Sequence, residues 1–241
     1  MRKYGVIGNP IKHSFSPSYF TEKFRNLKIS DCEYSAFELK SIDELSVLLS
    51  DNDLSGVNVT MPFKQSVIHH LHHISEDAVK VNAVNTVKVI GEKLYGYNTD
   101  IYGFRTSLTP LLGVHHKNAL IFGNGGSSAA VKYVLRRLGI AYKLVSRNEG
   151  ADYTYDDLTE EIISKNKLLI NTTPLGMEHR LNEAVDIPYS AISEEHLCYD
   201  LIYFPSETLF LSQAKKQGAT IKNGLQMLEL QADRSWEIWN M

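Results

Sequence analysis

The chain has 241 residues, enough to bury one or two substantial cores without help from metals or disulfides. Hydrophobic residues make up 43% and charged residues 22%, so no stretch is polar enough to read as disordered. A formal charge of -3 argues against a nucleic-acid partner, which would need a basic face to neutralise phosphates, and for a small-molecule one.

In chain order, short β-rich apolar runs fall at Tyr4 to Ile7, Glu33 to Phe37, Gly56 to Val59, Ala83 to Ile90, Leu120 to Phe122, Lys143 to Val145, Leu168 to Ile170, Cys198 to Leu201 and Ala219 to Lys222. Helix-length segments separate them, which predicts an α/β fold of βαβ units with a mainly parallel sheet. A second β-α-β series opens after Asp100, and a cleft between two domains is where small ligands usually bind. Leu225, Leu228, Ala232, Trp236 and Trp239 recur at helical spacing, predicting a final helix whose tryptophans pack.

The opening MRKYGVIGNP meets a glycine and a proline before any long apolar run, and nowhere do eighteen apolar residues follow one another. Neither an export signal nor a membrane span is expected. Cys32 and Cys198 lie far apart with no CxxC, so neither a disulfide framework nor a zinc site is indicated and a reducing cytoplasm fits. His69 and His73 stand at i, i+4 on an expected helix, a spacing that suits zinc. No HExxH glutamate accompanies them, and Val67, Leu71 and Ile74 form the apolar stripe, so solvated histidines are expected there and no metal.

Two groups of residues carry chemistry. Gly123, Asn124, Gly125, Gly126, Ser127 and Ser128 follow an apolar strand and precede a predicted helix over Ala129 to Leu138. Glycines there permit a tight turn and close backbone approach, and the helix N-terminus offers free N–H groups to a pyrophosphate. The next strand ends at Ser146-Arg147-Asn148, where an NAD enzyme presents an acid to the ribose diol. Arg147 can clamp a 2′-phosphate, which favours NADP(H), or can be a solvated surface charge; Glu149 weakens the NADP reading.

The second group lies in GNPIKHSFSP (residues 8–17), NVTMPFK (58–64), NAVNT (82–86) and GYNTD (96–100). Ser16 before Pro17 predicts an N-cap, and Ser14, Ser16 and the helix start can grip a carboxylate. Lys64 and Asp100 follow strands and can meet as a plain salt bridge or as a proton donor with the anion that orients it. The neutral hydrogen-bonding groups gathered with them at predicted strand ends, Ser14, Ser16, Asn58, Thr60, Asn85 and Thr99, favour the second reading.

These clusters resemble the shikimate dehydrogenase family, and the resemblance continues through NTTPLGM (171–177), DLIYFP (200–205) with Thr208, and GLQMLELQA (224–232). It implies reversible NADPH-dependent reduction of 3-dehydroshikimate to shikimate in aromatic amino-acid biosynthesis, by a cytoplasmic monomer or homodimer. It implies a fold with an N-terminal α/β substrate domain (1–100 with 224–241) and a Rossmann-like, doubly wound dinucleotide-binding domain (101–223), the C-terminal helix returning to the first. By position, Ser14 and Ser16 match the carboxylate-binding serines and Lys64 the catalytic lysine. Thr60, Asn85, Asp100 and Gln231 match groups holding ring hydroxyls, with Asn58 and Tyr203 as neighbours; Gly123 to Ser128 match the cofactor loop, Ser146-Arg147 the 2′-phosphate strand end, and Leu201 and Gly224 the nicotinamide-side contacts. The chain departs from the family at Asn82, at Glu149-Gly150-Ala151 where a second basic residue is usual, and in the short stretch from Arg147 to Asn171, which predicts a reduced or missing crossover helix. The alternatives are an NAD-linked or dual-specificity quinate/shikimate dehydrogenase, and a catalytically silent shikimate-binding sensor.

Overall fold

The structure, a computed structural model, describes residues 1–12, 14–147 and 150–241. His13, Asn148 and Glu149 lie outside the described residues, and with them the expected effect of Glu149 on cofactor choice. The chain divides into two compact units, Met1–Tyr102 with Gln231–Met241, and Gly103–Leu230. Residues 224–230, expected with the first unit, group with the second, where Gly224 donates its N–H to Ile202 O at 2.9 Å and Leu228 donates to Gly224 O at 3.0 Å.

Unit 1 runs β1 (Arg2–Gly8), α1 (Ser16–Asn26), β2 (Cys32–Glu38), α2 (Leu45–Asn52), β3 (Leu54–Val59), β4 (His73–Ile74), α3 (Glu76–Val81), β5 (Thr86–Ile90), β6 (Lys93–Tyr97) and the first residues of α4 (Asp100–Leu108). Its sheet has the order β2-β1-β3-β5-β6-β4. The β1–β2, β1–β3 and β4–β6 pairings are parallel, whereas β5 runs antiparallel to both β3 and β6, so this sheet is mixed. What reads as one strand from Ala83 to Ile90 is the first arm of a hairpin, turned by Gly91 at φ 59°, which a residue without Cβ adopts at no steric cost.

Alternation along β1 splits the core of unit 1 in two. Tyr4 and Val6 face a cluster with Phe20, Phe24, Tyr34 and Trp239, whereas Ile7 faces Val57, Val59, Leu45, Phe63 and Val67. Trp239 stacks on Tyr4 at 4.7 Å and donates its indole N–H to Val87 O at 2.9 Å. Gly56 makes room for it, since a Cβ there would lie 2.4 Å from the indole nitrogen.

Two local expectations fail in unit 1. Ser16 is not the N-cap of α1: Phe15 holds that place with helical dihedrals (φ -65°, ψ -35°), and its carbonyl accepts from Tyr19 N. Pro17 is tolerated one position further in because the first helical N–H groups lack intrahelical partners anyway. Nor do His69 and His73 share a helix. A 3-10 turn over Ser66–His70 ends where Leu71 turns extended, and His73 joins β4, its ring stacked on Tyr95 at 4.7 Å. Pairing of this segment with β6, through His72 N to Leu94 O at 3.0 Å, outcompetes the helix.

Unit 2 continues with the rest of α4, then β7 (Asn118–Phe122), α5 (Gly126–Arg137), β8 (Ala141–Val145), α6 (Glu160–Lys165), β9 (Leu168–Asn171), β10 (Leu197–Asp200), α7 (Leu209–Lys216), β11 (Thr220–Lys222) and the start of α8 (Leu225–Asn240). Its sheet is wholly parallel in the order β11-β10-β9-β7-β8, with Leu120, Phe122, Val145, Leu169 and Cys198 in a core closed by Phe210, Leu211 and Ile163. A doubly wound sheet usually carries one more strand outside the second. Here β8 is the edge, an isolated bridge from Val145 to Tyr153 stands in that place, and the crossover keeps only the short α6.

Candidate active site

In unit 1 the chain leaves β3 at Val59 and turns through Thr60 to Gln65. Val84 N donates to Lys64 O at 2.7 Å, so the lysine side chain starts from a fixed backbone. Asp100 is the first residue of α4, where free N–H groups favour a carboxylate. Lys64 Nζ stands 2.6 Å from Asp100 Oδ2, the two side chains 27% and 16% exposed. Asp100 Oδ1 accepts from Asn85 Nδ2 at 2.8 Å, and Asn85 Oδ1 in turn accepts from Thr99 N at 2.7 Å. Both carboxylate oxygens are therefore oriented, one by the ammonium and one by an amide that the backbone itself fixes. Gln231 Oε1 accepts from Asn85 Nδ2 at 3.4 Å and Thr99 Oγ1 at 3.3 Å, bringing α8 into the same group.

Behind these residues lies a fully buried polar layer. Asn58 Oδ1 accepts from Tyr34 OH at 2.8 Å, while its Nδ2 donates to Ser235 Oγ at 2.9 Å, Thr86 Oγ1 at 3.2 Å and Asn85 O at 3.2 Å. Asn58 thus has both amide atoms engaged within the fold. Ser235 also meets Thr86 at 2.8 Å and Thr99 at 3.2 Å. Sequence reasoning passed over Ser235 and Tyr34. The signal for Ser235 was present: one helical turn after Gln231, it interrupts the apolar stripe of α8 with a hydroxyl.

Ser14 is half-buried just before α1, and Ser16 is buried with its hydroxyl hydrogen-bonded to the Tyr34 phenol, whose titration burial pushes well up. Thr60 is half-buried at the end of β3, its amide donating to Ile7 O at 2.9 Å. Unit 1 thus brings together Lys64, Asp100, Asn85, Asn58 and Gln231 by direct bonds or shared partners, and Ser16 joins them through Tyr34.

In unit 2, Gly123 sits at φ 98°, a conformation open to glycine, and a Cβ on it would come within 2.9 Å of Thr172 Oγ1 and Thr173 Cγ2. Gly125 caps α5 and Gly126 begins it; a Cβ on either would meet no protein atom within 4 Å. The backbone there faces open space, as an approaching pyrophosphate requires. Ser127 is exposed, and Ser128 is buried with its hydroxyl donating to Gly125 O at 2.7 Å. Gly123, Asn124, Gly125, Ser146 and Arg147 line one cavity of about 1050 Å³, which Thr172 and Thr173 also border. Ser146 is buried and Arg147 exposed, and the adjoining strand ends β7 and β8 are tied by Gly123 N to Val145 O at 2.8 Å. These residues fit a dinucleotide: a glycine turn, a helix N-terminus and a guanidinium border one space.

The far end of the unit 2 sheet holds Leu201 and Gly224. A Cβ at Gly224 would lie 2.0 Å from Leu201 O, so only glycine lets the two backbones touch. Tyr203 follows on the loop after β10, half-buried, its phenol pushed up by burial and by Glu178. Beneath them Asp200 is fully buried, accepting from Thr208 Oγ1 at 2.7 Å, Ile202 N at 3.0 Å and Asn171 Nδ2 at 3.1 Å. Burial outweighs those bonds and lifts its carboxyl to about 6. Asn171 also holds Thr173 through N at 3.0 Å and Oγ1 at 2.7 Å, so this network ties the β9 and β10 ends to the Gly123 turn.

Among the described residues no three His, Cys, Asp or Glu side chains are arranged to hold a metal ion, and no helix is long and apolar enough to cross a membrane.

The sequence model for the shikimate dehydrogenase substrate binding domain matches residues 6–87. Shikimate dehydrogenase (NADP(+)) of Clostridium beijerinckii is 39% identical over 254 residues, covering 99% of this chain and 92% of that protein. The crystal structure of shikimate dehydrogenase from Aquifex aeolicus superposes with a TM-score of 0.88 at 35% identity, covering 100% of this chain and 92% of that one. The Thermus thermophilus enzyme, solved in complex with NADP(H) and shikimate, gives 0.86 at 29% identity, with 99% and 93% coverage.

Proposed function

The chain belongs to the shikimate dehydrogenase family, and from that premise we propose that it reduces 3-dehydroshikimate to shikimate, reversibly, with NADPH. The observation that carries the reading is the Lys64–Asp100–Asn85 array, in which an ammonium is held at 2.6 Å by a carboxylate whose other oxygen is fixed at 2.8 Å. A partly exposed ion pair contributes only about 0–1 kcal/mol to stability, too little to account for so elaborate a support.

Bound NADPH supplies a hydride. Lys64 donates the proton that the substrate carbonyl oxygen gains as its carbon is reduced, and in the oxidative direction the neutral amine takes that proton back. Asp100 keeps the ammonium aimed and accepts from a ring hydroxyl. Asn85, Thr60 and Gln231 bind the other hydroxyls, while Ser14, Ser16 and the start of α1 receive the substrate carboxylate. Asn58 acts through its neighbours, and Tyr203 is a neighbouring substrate-binding group. On the cofactor side Gly123 to Ser128 take the pyrophosphate, Ser146 and Arg147 the 2′-phosphate, and Leu201 with Gly224 the nicotinamide. The enzyme acts in the cytoplasm as a monomer or homodimer.

Initial rates with shikimate and with quinate, each paired with NADP+ and with NAD+, test the reading. Shikimate with NADP+ is expected to be fastest by a wide margin; quinate or NAD+ performing equally well would overturn it. Arg147→Ala should raise KM for NADPH far more than KM for shikimate, and equal increases would remove the phosphate role.

A further inference from the structure

Arg147 lacks the sequence neighbour that would complete a phosphate clamp. Gly150 and Ala151 follow it, and the next basic residue is Lys165, already paired with Glu161. One guanidinium on an exposed strand end gives modest discrimination for a dianion, so a second cation should come from elsewhere in the fold. Nearby candidates are mostly committed: Lys143 pairs with Asp152 at 2.8 Å, Arg180 with Glu183 at 3.1 Å, and Arg136 lies over the Tyr142 ring. Lys132 is the exception.

Lys132 lies in the second turn of α5, and helical side chains lean toward the N-terminus, which carries its ammonium back over the glycine turn. There Nζ donates to Asn124 Oδ1 at 3.0 Å. Among the described residues it has no carboxylate partner, and it is half-buried, so burial and then Arg136 push its titration down. A half-desolvated ammonium held only by a neutral amide is poorly compensated and attracts an anion. Asn124 shows where that anion would sit. With Oδ1 taken by the lysine, its Nδ2 donors are left for the cavity that it lines together with Ser146 and Arg147. Adjacency of β7 and β8 brings these groups to one corner, the strand end where an adenosine ribose lies in dinucleotide-binding sheets.

We infer that Lys132 and Asn124 form, with Arg147, the 2′-phosphate subsite, making Lys132 a determinant of NADPH over NADH in this chain. The inference rests on the cofactor reading above. It is tested without turnover, by calorimetric titration of the full chain with adenosine 2′,5′-bisphosphate and with AMP. The wild type should bind the bisphosphate more tightly. Lys132→Met should cut that preference about tenfold, as loss of a charge-assisted bond implies, while AMP affinity and the circular dichroism spectrum stay unchanged. Lys132→Arg should retain it. An undiminished preference in Lys132→Met, an equal loss for both nucleotides, or a wild type indifferent to the 2′-phosphate would overturn the assignment. A wild type that prefers the bisphosphate through Lys132 yet turns over no dehydroshikimate would sink the activity reading and leave this subsite standing.

Discussion

At the scale of single residues, partial exposure sets Lys64 apart from the buried polar layer behind it. Lys64 is 27% exposed, and its pair with Asp100 adds little to folding, so Lys64→Ala should leave stability within about 1 kcal/mol of the wild type. Ser235 is fully buried with its hydroxyl shared among Asn58, Thr86 and Thr99. Ser235→Ala leaves those partners short of a bond and should cost about 1–3 kcal/mol in denaturant unfolding. Asp200 contributes in the opposite sense to a paired surface acid. Its carboxyl is lifted from 3.8 to about 6, so the folded protein holds that proton more tightly than the unfolded chain does. Stability should therefore decline as pH climbs from about 4 to about 6 and receive no further change from this group above that. Asp200→Asn should flatten that limb of a pH–stability profile; an unchanged slope would show that another group causes it.

At the scale of elements, α8 joins the core through Trp239 and the Asn85–Thr99 polar group through Gln231. Its Trp239 fills the gap that Gly56 leaves and stacks on Tyr4, so Trp239→Ala should destabilise by about 3–5 kcal/mol, measured by chemical denaturation. The β10 and β11 ends meet through Gly224, and Gly224→Ala must displace the Leu201 carbonyl. The expected result is a raised KM for NADPH with KM for shikimate little changed.

Elements with strong periodicity, such as β7, α5 and α8, were legible in the sequence because apolar spacing and glycine punctuation agree there. A strand ahead of Asp100 was expected, but the bounds of β6 were not legible, because Lys93–Tyr97 is mostly half-buried and shows no clean alternation. The His69–His73 segment misled because its apolar residues fit a helix until the edge of β6 offered backbone partners at greater range. The Ser16-Pro17 pair misled by one residue, since Phe15 can adopt helical dihedrals and Ser16 has Tyr34 to bond instead. Lys64, Asp100 and Asn85 could be nominated from residue type at strand ends, whereas the buried layer of Tyr34, Asn58, Thr86 and Ser235 needs the tertiary structure to bring four distant segments together.

At the scale of the whole molecule, each unit carries its own set of groups: unit 1 has the Lys64–Asp100–Asn85 array, and unit 2 has the open glycine turn, Arg147 and the strand ends. The division of labour follows from sheet type. A wholly parallel sheet ends all its strands on one side, where helix N-termini and glycine turns collect and a dinucleotide can lie along them. A mixed sheet with a hairpin places polar residues of β3, β5 and α4 side by side, suited to a small hydroxylated acid. The most direct test follows NADPH absorbance with 3-dehydroshikimate for the wild type and for Lys64→Ala. The wild type should consume NADPH steadily, and the folded variant should show a kcat lower by about 10²–10⁴-fold with KM for NADPH unchanged. A folded Lys64→Ala protein that turns over at close to the wild-type rate would contradict the role of Lys64 as proton donor.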